Sequence, residues 1–225
     1  MKGTQNGPSA RTTLRRGKNR AVYGPLDVRA VLNAGIIAHV GVTTDDGPIV
    51  LPMAYGLNAD QILIHGALAN AHMNAGKSVD VCVTVTIVDG LVVARSPFHN
   101  SMNYRSVVVR GEATAILDPD EKANALKIIN DHIAPIWDSA RAPNSSDYKK
   151  TLVLSVPLAE ASAKVRSGDP VDDDADMQGP YWAGVVPLTS TWGDPIATAD
   201  LHGSPEVPAG VRGLVGTEAS PIDGC

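Results

Sequence analysis

The chain has 225 residues, 44% of them apolar and 19% charged, which is enough to bury a core and unlike a disordered chain. Its only cysteines, Cys82 and Cys225, exclude a disulfide framework and suit a reducing compartment. No apolar run approaches the ~20 residues of a membrane span, and Met1–Arg20 lacks the apolar stretch of a secretory signal, so the chain reads as soluble and cytoplasmic.

The net charge of −5 is unevenly spread. Residues 1–20 hold Lys2, Arg11, Arg15, Arg16, Lys18 and Arg20 and no acidic residue. A basic tail can meet nucleic acid or an acidic partner. No aromatic residue interleaves with these charges and the remaining body is acidic, so nucleic acid is not expected as a partner. Residues 1–22 are expected as a disordered basic leader.

Pro25 suits a helix first turn, Val28, Val31 and Leu32 share a face, and Gly35 marks the stop. Ile36–Thr43, Ile49–Leu57 and Gln61–His65 follow as strands joined by short turns at Asp45–Pro48 and Asn58–Asp60, which suits antiparallel neighbours. Ala67–Lys77 reads as a short helix or helical loop. Val79–Val88 is a strand with Val81, Val83, Val85 and Ile87 on one side and Cys82, Thr84 and Thr86 on the other. Asp89-Gly90 reads as a hairpin turn into Leu91–Arg95. Asn103–Leu117 is a long strand with a bulge at Gly111.

Asp118-Pro119-Asp120-Glu121 is a helix start with a capping pattern, and Ala125, Ile128, Ile129, His132 and Ile133 continue at helical spacing as far as Pro135. Thr151–Pro157, Ser162–Arg166 and Tyr181–Leu188 read as strands. Residues 169–176, with five aspartates, read as a solvated linker because the calcium-loop pattern is absent. From Ser190 onward no periodicity appears, so a mobile tail is expected. Closely spaced strands without alternating helices point to a mostly β chain built on a small antiparallel barrel.

No GxSxG, HExxH, GxxxxGK[ST] or CxxC pattern occurs. His65 and His72 lack companions for a metal set, and Cys82 reads as a buried thiol. Ala94–Ser106 packs arginines, serines, amides, a histidine and aromatics between two apolar strands. That composition fits either a ligand-holding strand end or a polar hairpin tip.

The run from Cys82 to Gly111, with ARSPFHNSMNYRSVV at its centre, resembles the pyridoxamine 5′-phosphate oxidase-related, FMN-binding split-barrel family, in its nitroimidazole-resistance-like branch. His39-Val40-Gly41, Pro52-Met53-Ala54-Tyr55, Ile64-His65-Gly66, Ala161–Arg166 and Trp182–Leu188 match in order. The resemblance implies a six-stranded antiparallel split β-barrel over residues 23–188, a flexible tail over 189–225, and a homodimer with FMN at its interface. It also implies Pro52, Met53 and Ala54 along the flavin ring, and His65, Gly66, Ala67 and Asn70 near the ribityl phosphate. Tyr104, Arg105 and Ser106 would contact ring or phosphate, and Trp182 would pack at the interface. Ala67, Asn70 and Ala71 replace the usual hydroxyl and basic residues, so Lys77, Arg95 with Ser96, and Arg105 are the alternative phosphate contacts. Arg105 or Lys164 would stabilise reduced flavin, and Arg105 is expected to face the cofactor while Arg110 faces away. The substrate-gripping Arg-x-His motif of true pyridoxamine phosphate oxidases is missing.

The leading expectation is an FMN-dependent oxidoreductase acting on a small aromatic or nitro-substituted molecule by flavin hydride transfer. His65 and His99 are the candidate acids, and each could equally be a structural hydrogen-bonder. The alternative is a non-enzymatic flavin or haem carrier or sensor, with His65, His99 or His132 as axial ligand.

Overall fold

A computed structural model describes residues 7–67 and 78–221. In chain order its strands are β1 (Ala21–Val22), β2 (Ala38–Thr44), β3 (Gly47–Met53), β4 (Tyr55–Asn58), β5 (Gln61–Ala67), β6 (Val79–Val93), β7 (Ser101–Ala115), β8 (Thr151–Pro157), β9 (Ala161–Arg166) and β10 (Gly184–Pro187). The helices are α1 (Pro25–Ala34), α2 (Pro119–Asn130), α3 (Ser145–Lys150) and α4 (Ala209–Arg212).

The valine alternation of β6 sets the architecture. Val81, Val83, Val85 and Ile87 are buried, as are Val107 and Val109 opposite them on β7. β6 and β7 form one long antiparallel hairpin. On its other edge β6 takes β2 along Val81–Thr84 and β10 along Gly90–Val93. β7 splits its outer edge between β9, along Tyr104–Val109, and β8, at Thr114–Ala115. The sheet therefore forks, with order β3-β2-β6-β7-β8-β5-β4, and β9 and β1 branch off. This is the antiparallel split barrel expected from the sequence. Ten strands are present among the described residues where six were expected; β1, β4 and β10 among them are short pieces of two to four residues.

Helix α1 plugs the barrel with Val31 and Leu32, both fully buried. Gly35 ends it in extended conformation (φ −83°), so close approach rather than left-handed freedom requires the glycine. A Cβ there would stand 2.3 Å from a Val85 methyl and 2.8 Å from the Tyr55 hydroxyl. That hydroxyl lies within hydrogen-bonding distance of the Leu32 and Gly35 carbonyl oxygens, and burial pushes its pKa up. Helix α2 starts as expected, with the Asp118 carboxylate accepting from the Asp120 and Glu121 N–H groups. It buries Ala125 and Ile129 on Leu63 and Val153, so β5 is covered on both faces.

Several expectations change. Asp89-Gly90 is not a hairpin turn: β6 runs through it, and the register with β7 shifts between Val88 and Gly90. The extra residue makes a bulge, and the chain reverses later, where the Asn100 side chain accepts from the Ala94 N–H. Gly111 stays in register opposite Val81 and makes no bulge. The strand read over Ile49–Leu57 breaks at Ala54 into β3 and β4. Helix α2 stops at Asn130, because the Asp131 carboxylate accepts from the Ile136 and Trp137 N–H groups and holds the exit loop. Helix α3 was not foreseen, although Asn144 and Asp147 form a capping box.

The ends lie against the body. Arg11 pairs with Asp80 at 2.8 Å, Ser9 bonds Glu160, and β1 pairs with β9. In the tail the Trp192 N–H donates to Thr217 O and the Gly216 N–H to Trp192 O, and Ala219 bonds Ser190. The helical reading of Ala67–Lys77 lies, from residue 68 on, outside the described residues, as do His72 and Cys225.

His132 supplies a pH test. Its ring packs on Tyr55 at a 45° tilt with centroids 4.3 Å apart, and Nε2 is 2.8 Å from Gly35 O. Desolvation holds its pKa below the ordinary 6.5 against the opposing pull of that hydrogen bond. The unfolded chain therefore binds a proton near pH 6.5 that the folded chain refuses, so stability is present above that pH and falls as pH drops through it towards the folded pKa. The slope contributed is at most about 1.4 kcal/mol per pH unit. Urea melts between pH 7.5 and 5 should show this decline, and His132→Gln, which keeps a donor for Gly35, should reduce it to the share of His65, whose pKa burial also lowers.

Candidate cofactor sites

Strand register assigns the side chains to faces, because paired residues point the same way. One outer row of the sheet is Pro52, His39, Thr84, Val108 and Ser162. The next is Thr86, Ser106, Lys164 and Ala21. On either side lie Val88 with Tyr104, and Val50, Gly41, Cys82 and Arg110. This face carries hydroxyls at Thr84, Thr86 and Ser106, the last donating to Lys164 O at 3.4 Å, partly exposed cations at Lys164 and Arg110, and Gly41, which presents no side chain. Such a surface suits a flat, phosphate-bearing ring system.

Tyr104 and Ser106 thus lie together, but Arg105 does not join them. It is on the opposite face, beside Ile87, and is only 3% exposed. Its guanidinium pairs with Asp89 at 2.8 Å and donates to Pro221 O at 2.8 Å and to Ser220 O at 3.0 Å. The bulge on β6 brings Asp89 to it. Arg105 and Arg110 do point to opposite faces as expected, but Arg110 is the one beside Cys82 on the face of Tyr104 and Ser106. The parity of positions 104, 106 and 110 is the signal that identifies Arg110.

Arg95 is engaged as well. Its backbone N–H and guanidinium donate to Asp172 at 2.7 and 3.0 Å, and Ser96 also donates to that carboxylate through its backbone. The Asp172 side chain is 1% exposed, so the aspartate-rich stretch is docked at that residue, while Asp169, Asp173 and Asp174 are exposed as expected of a solvated linker. His99 Nε2 lies 3.4 Å from Asp173 on the same loop. Met53 points into the core, while Pro52 and Ala54 are exposed. Trp182 is exposed and its ring covers Gly184, where a Cβ would stand 2.9 Å from it. Ala67 ends β5, and Asn70 and Lys77 lie outside the described residues.

His65 belongs to a second location. On β5, Ile62 and Ile64 point inward, so Leu63 and His65 point outward towards α2. His65 lines a cavity of about 540 Å³ with Ala54, Leu126, Ile129, Ile133, Trp137, Arg141 and Tyr148. The apolar walls lower the imidazole pKa by desolvation, which keeps a nitrogen lone pair available. The Arg141 guanidinium at the rim pairs with Asp147 at 2.8 Å and is mostly exposed. The pocket lies within the ~300–1,000 Å³ range of cofactor sites; it is mainly apolar, with Asn130, Asp147 and Thr151 as its further polar lining, and its imidazole and rim guanidinium are groups that a haem could use. The cavity beside His39 measures about 240 Å³ and falls below that range. His132 is committed to Gly35 and Tyr55. No cluster of three or more metal-ligating side chains occurs among the described residues, nor any helix there long and apolar enough to cross a membrane.

The forked antiparallel sheet defines the class of split-barrel proteins. A sequence profile for pyridoxamine 5′-phosphate oxidase matches residues 26–165, and the chain belongs to that family. Among solved structures it is similar to the flavocytochrome Anf3 from Azotobacter vinelandii, with 33% identity, 94% of this chain and 100% of that one covered, and a TM-score of 0.86. It is also similar to an FAD and haem binding protein from Mycobacterium smegmatis, at 31% identity, 90% and 100% coverage and a TM-score of 0.83. A 5-nitroimidazole antibiotic resistance protein from Bacteroides thetaiotaomicron shares the fold, at 23% identity, 64% and 86% coverage and a TM-score of 0.53. No curated protein sequence matches the chain.

Proposed function

We propose that the protein is an oxidoreductase that binds a flavin on the outer barrel face and a haem in the His65 cavity, and acts as a homodimer on a small flat molecule. The observation that carries this reading is the presence of two separate sites of different chemistry, a donor- and cation-bearing sheet face and an apolar pocket with a neutral imidazole. Similarity over more than nine-tenths of the chain to a flavocytochrome, and over 90% to an FAD and haem binding protein, supports it. When bound, the flavin supplies hydride or single-electron transfer and the haem one-electron chemistry.

The chain's own residues bind and orient. Thr86 and Ser106 offer hydroxyls, Tyr104 offers a ring to stack on, and Lys164 favours an anionic form of the ligand beside it. His65 offers its unprotonated nitrogen, and Arg141 can leave Asp147 for a carboxylate because an exposed pair holds it only weakly. Arg105 and Arg95 support the walls from behind, through Asp89 and Asp172. The second copy covers an outer face where Val50 is 64% exposed and Val88, Leu91 and Met102 are also exposed.

The absorption spectrum and released-cofactor masses of the purified protein test this directly. Flavin bands together with a Soret band are expected, and a protein showing neither would refute it. His65→Ala should weaken haem at least tenfold, since even ligand-supporting partners are worth ~10–100-fold. The flavin bands of that variant should stay unchanged, and an unshifted Soret band would place the haem elsewhere.

A further inference from the structure

We propose that the cavity closed between the outer sheet face and the C-terminal tail is the substrate site, and that it takes a single-ring molecule bearing an amine. The proposal rests on the flavin reading above and names the substrate class of that site. The floor belongs to the barrel. His39, Thr86 and Val88 are exposed and alternate with the buried Val40, Val85 and Ile87, so they point outward. All three line the cavity, with Ile36 and Ile37 beside them. Thr86 also stands in the row of Ser106 and Lys164, so the cavity adjoins the face proposed for the flavin.

The roof comes from the tail, and both of its ends are tied to the bulge on β6. The Leu188 N–H donates to Asp89 O at 3.1 Å, and the Ala219 N–H donates to Ser190 O at 2.8 Å. The Arg105 guanidinium, itself paired with the Asp89 carboxylate, donates to Ser220 O and Pro221 O. Leu188, Ser190, Glu218 and Ser220 are thereby held in place to complete the lining.

That lining sets the ligand. The volume of about 240 Å³ exceeds the ~150 Å³ that takes a benzene, so one ring with a short arm fits. Ile36, Ile37, Val88 and Leu188 offer apolar wall to the ring. No lysine or arginine lines the cavity, whereas Asp89 and Glu218 do. Asp89 is neutralised by Arg105. Glu218 is exposed and forms no ion pair among the described residues. One unneutralised carboxylate beside an apolar wall favours a protonated amine over a hydroxyl, because the charge-assisted hydrogen bond is roughly twice as strong.

The test uses the full chain with its cofactors, titrated at neutral pH with benzylamine and with benzyl alcohol and followed by calorimetry and by the flavin absorption bands. Benzylamine should bind at least about tenfold more tightly than the alcohol, less so as salt is added, and should shift the flavin bands. Glu218→Gln should bring the two probes to within about threefold of each other while leaving the alcohol unchanged. Ile37→Trp, which adds bulk at an exposed lining position, should weaken both probes at least about tenfold. Melting temperatures serve as folding controls for the variants. Equal affinities in the native chain, a preference that survives Glu218→Gln, or binding untouched by Ile37→Trp would overturn the site. So would binding that leaves the flavin bands unmoved. The same calorimetric pattern in a protein without flavin bands would overturn the flavin reading, and with it the substrate role, while the heats would still report an amine site.

Discussion

Arg105→Ala should destabilise the folded chain by about 3 kcal/mol or more, because removing one partner of a buried ion pair typically costs ~3–5 kcal/mol. The guanidinium is almost wholly buried, and its bonds to Asp89 are matched by donation to two tail carbonyls. Truncation leaves the Asp89 carboxylate, itself only 17% exposed, without its cation. It also leaves the Ser220 and Pro221 carbonyls without a donor. Arg110→Ala, on the outer face, should change stability by less than ~0.5 kcal/mol. Urea denaturation of both variants decides the matter, and a loss below about 1 kcal/mol for Arg105→Ala would show that the pair is not a keystone. Replacing Arg105 and Asp89 together by apolar residues should recover much of the loss, since what costs is the uncompensated charge. The tail should also become more open to proteolysis after residue 189 in Arg105→Ala, because its last described residues are held by that side chain.

Gly56→Ala should lower stability by about 1–3 kcal/mol and alter the His65 cavity, the proposed haem pocket, at the same time. A Cβ at Gly56 on β4 would stand 2.8 Å from Ile128 O and 2.8 Å from the Ile129 N. Those are backbone atoms of α2, which cannot turn aside as a side chain can, so the helix must move away from the sheet. Leu126, Ile129 and Ile133 line the cavity of His65, so the displacement reaches the proposed haem pocket. A lowered denaturation midpoint together with a shifted Soret band is expected. Loss of stability with an unperturbed Soret band would show that α2 does not form the wall of the haem site.

Local patterns were legible where one force decides locally. The valines of β6 alternate because one face is buried, and they were read correctly. The cap at Asp118 was legible because a side chain one turn from its own N–H groups needs no partner elsewhere. The family was legible from the Ala94–Ser106 run. Asp89-Gly90 misled, because the same dipeptide serves a two-residue turn and a bulge, and the choice depends on which strands pair beyond it. Here both β7 and β10 continue past Gly90, and the extra residue aims Asp89 at Arg105. The grouping of Tyr104, Arg105 and Ser106 as one contact set followed the motif rather than the strand period, which sends the middle residue to the other face.

The composition, the period-2 valines, the capped helix and the family motif were determined by the sequence alone, since each depends on neighbours within a few residues. Only the tertiary structure decided that Arg105 and Arg95 are held by Asp89 and Asp172, that Arg110 and Lys164 share the outer face, and that the tail straps Arg105. Those facts depend on carboxylates and carbonyls 16 to 116 positions away, brought close by a fork in the sheet. A strap held through backbone carbonyls also leaves no hydropathy pattern by which it could be read in advance.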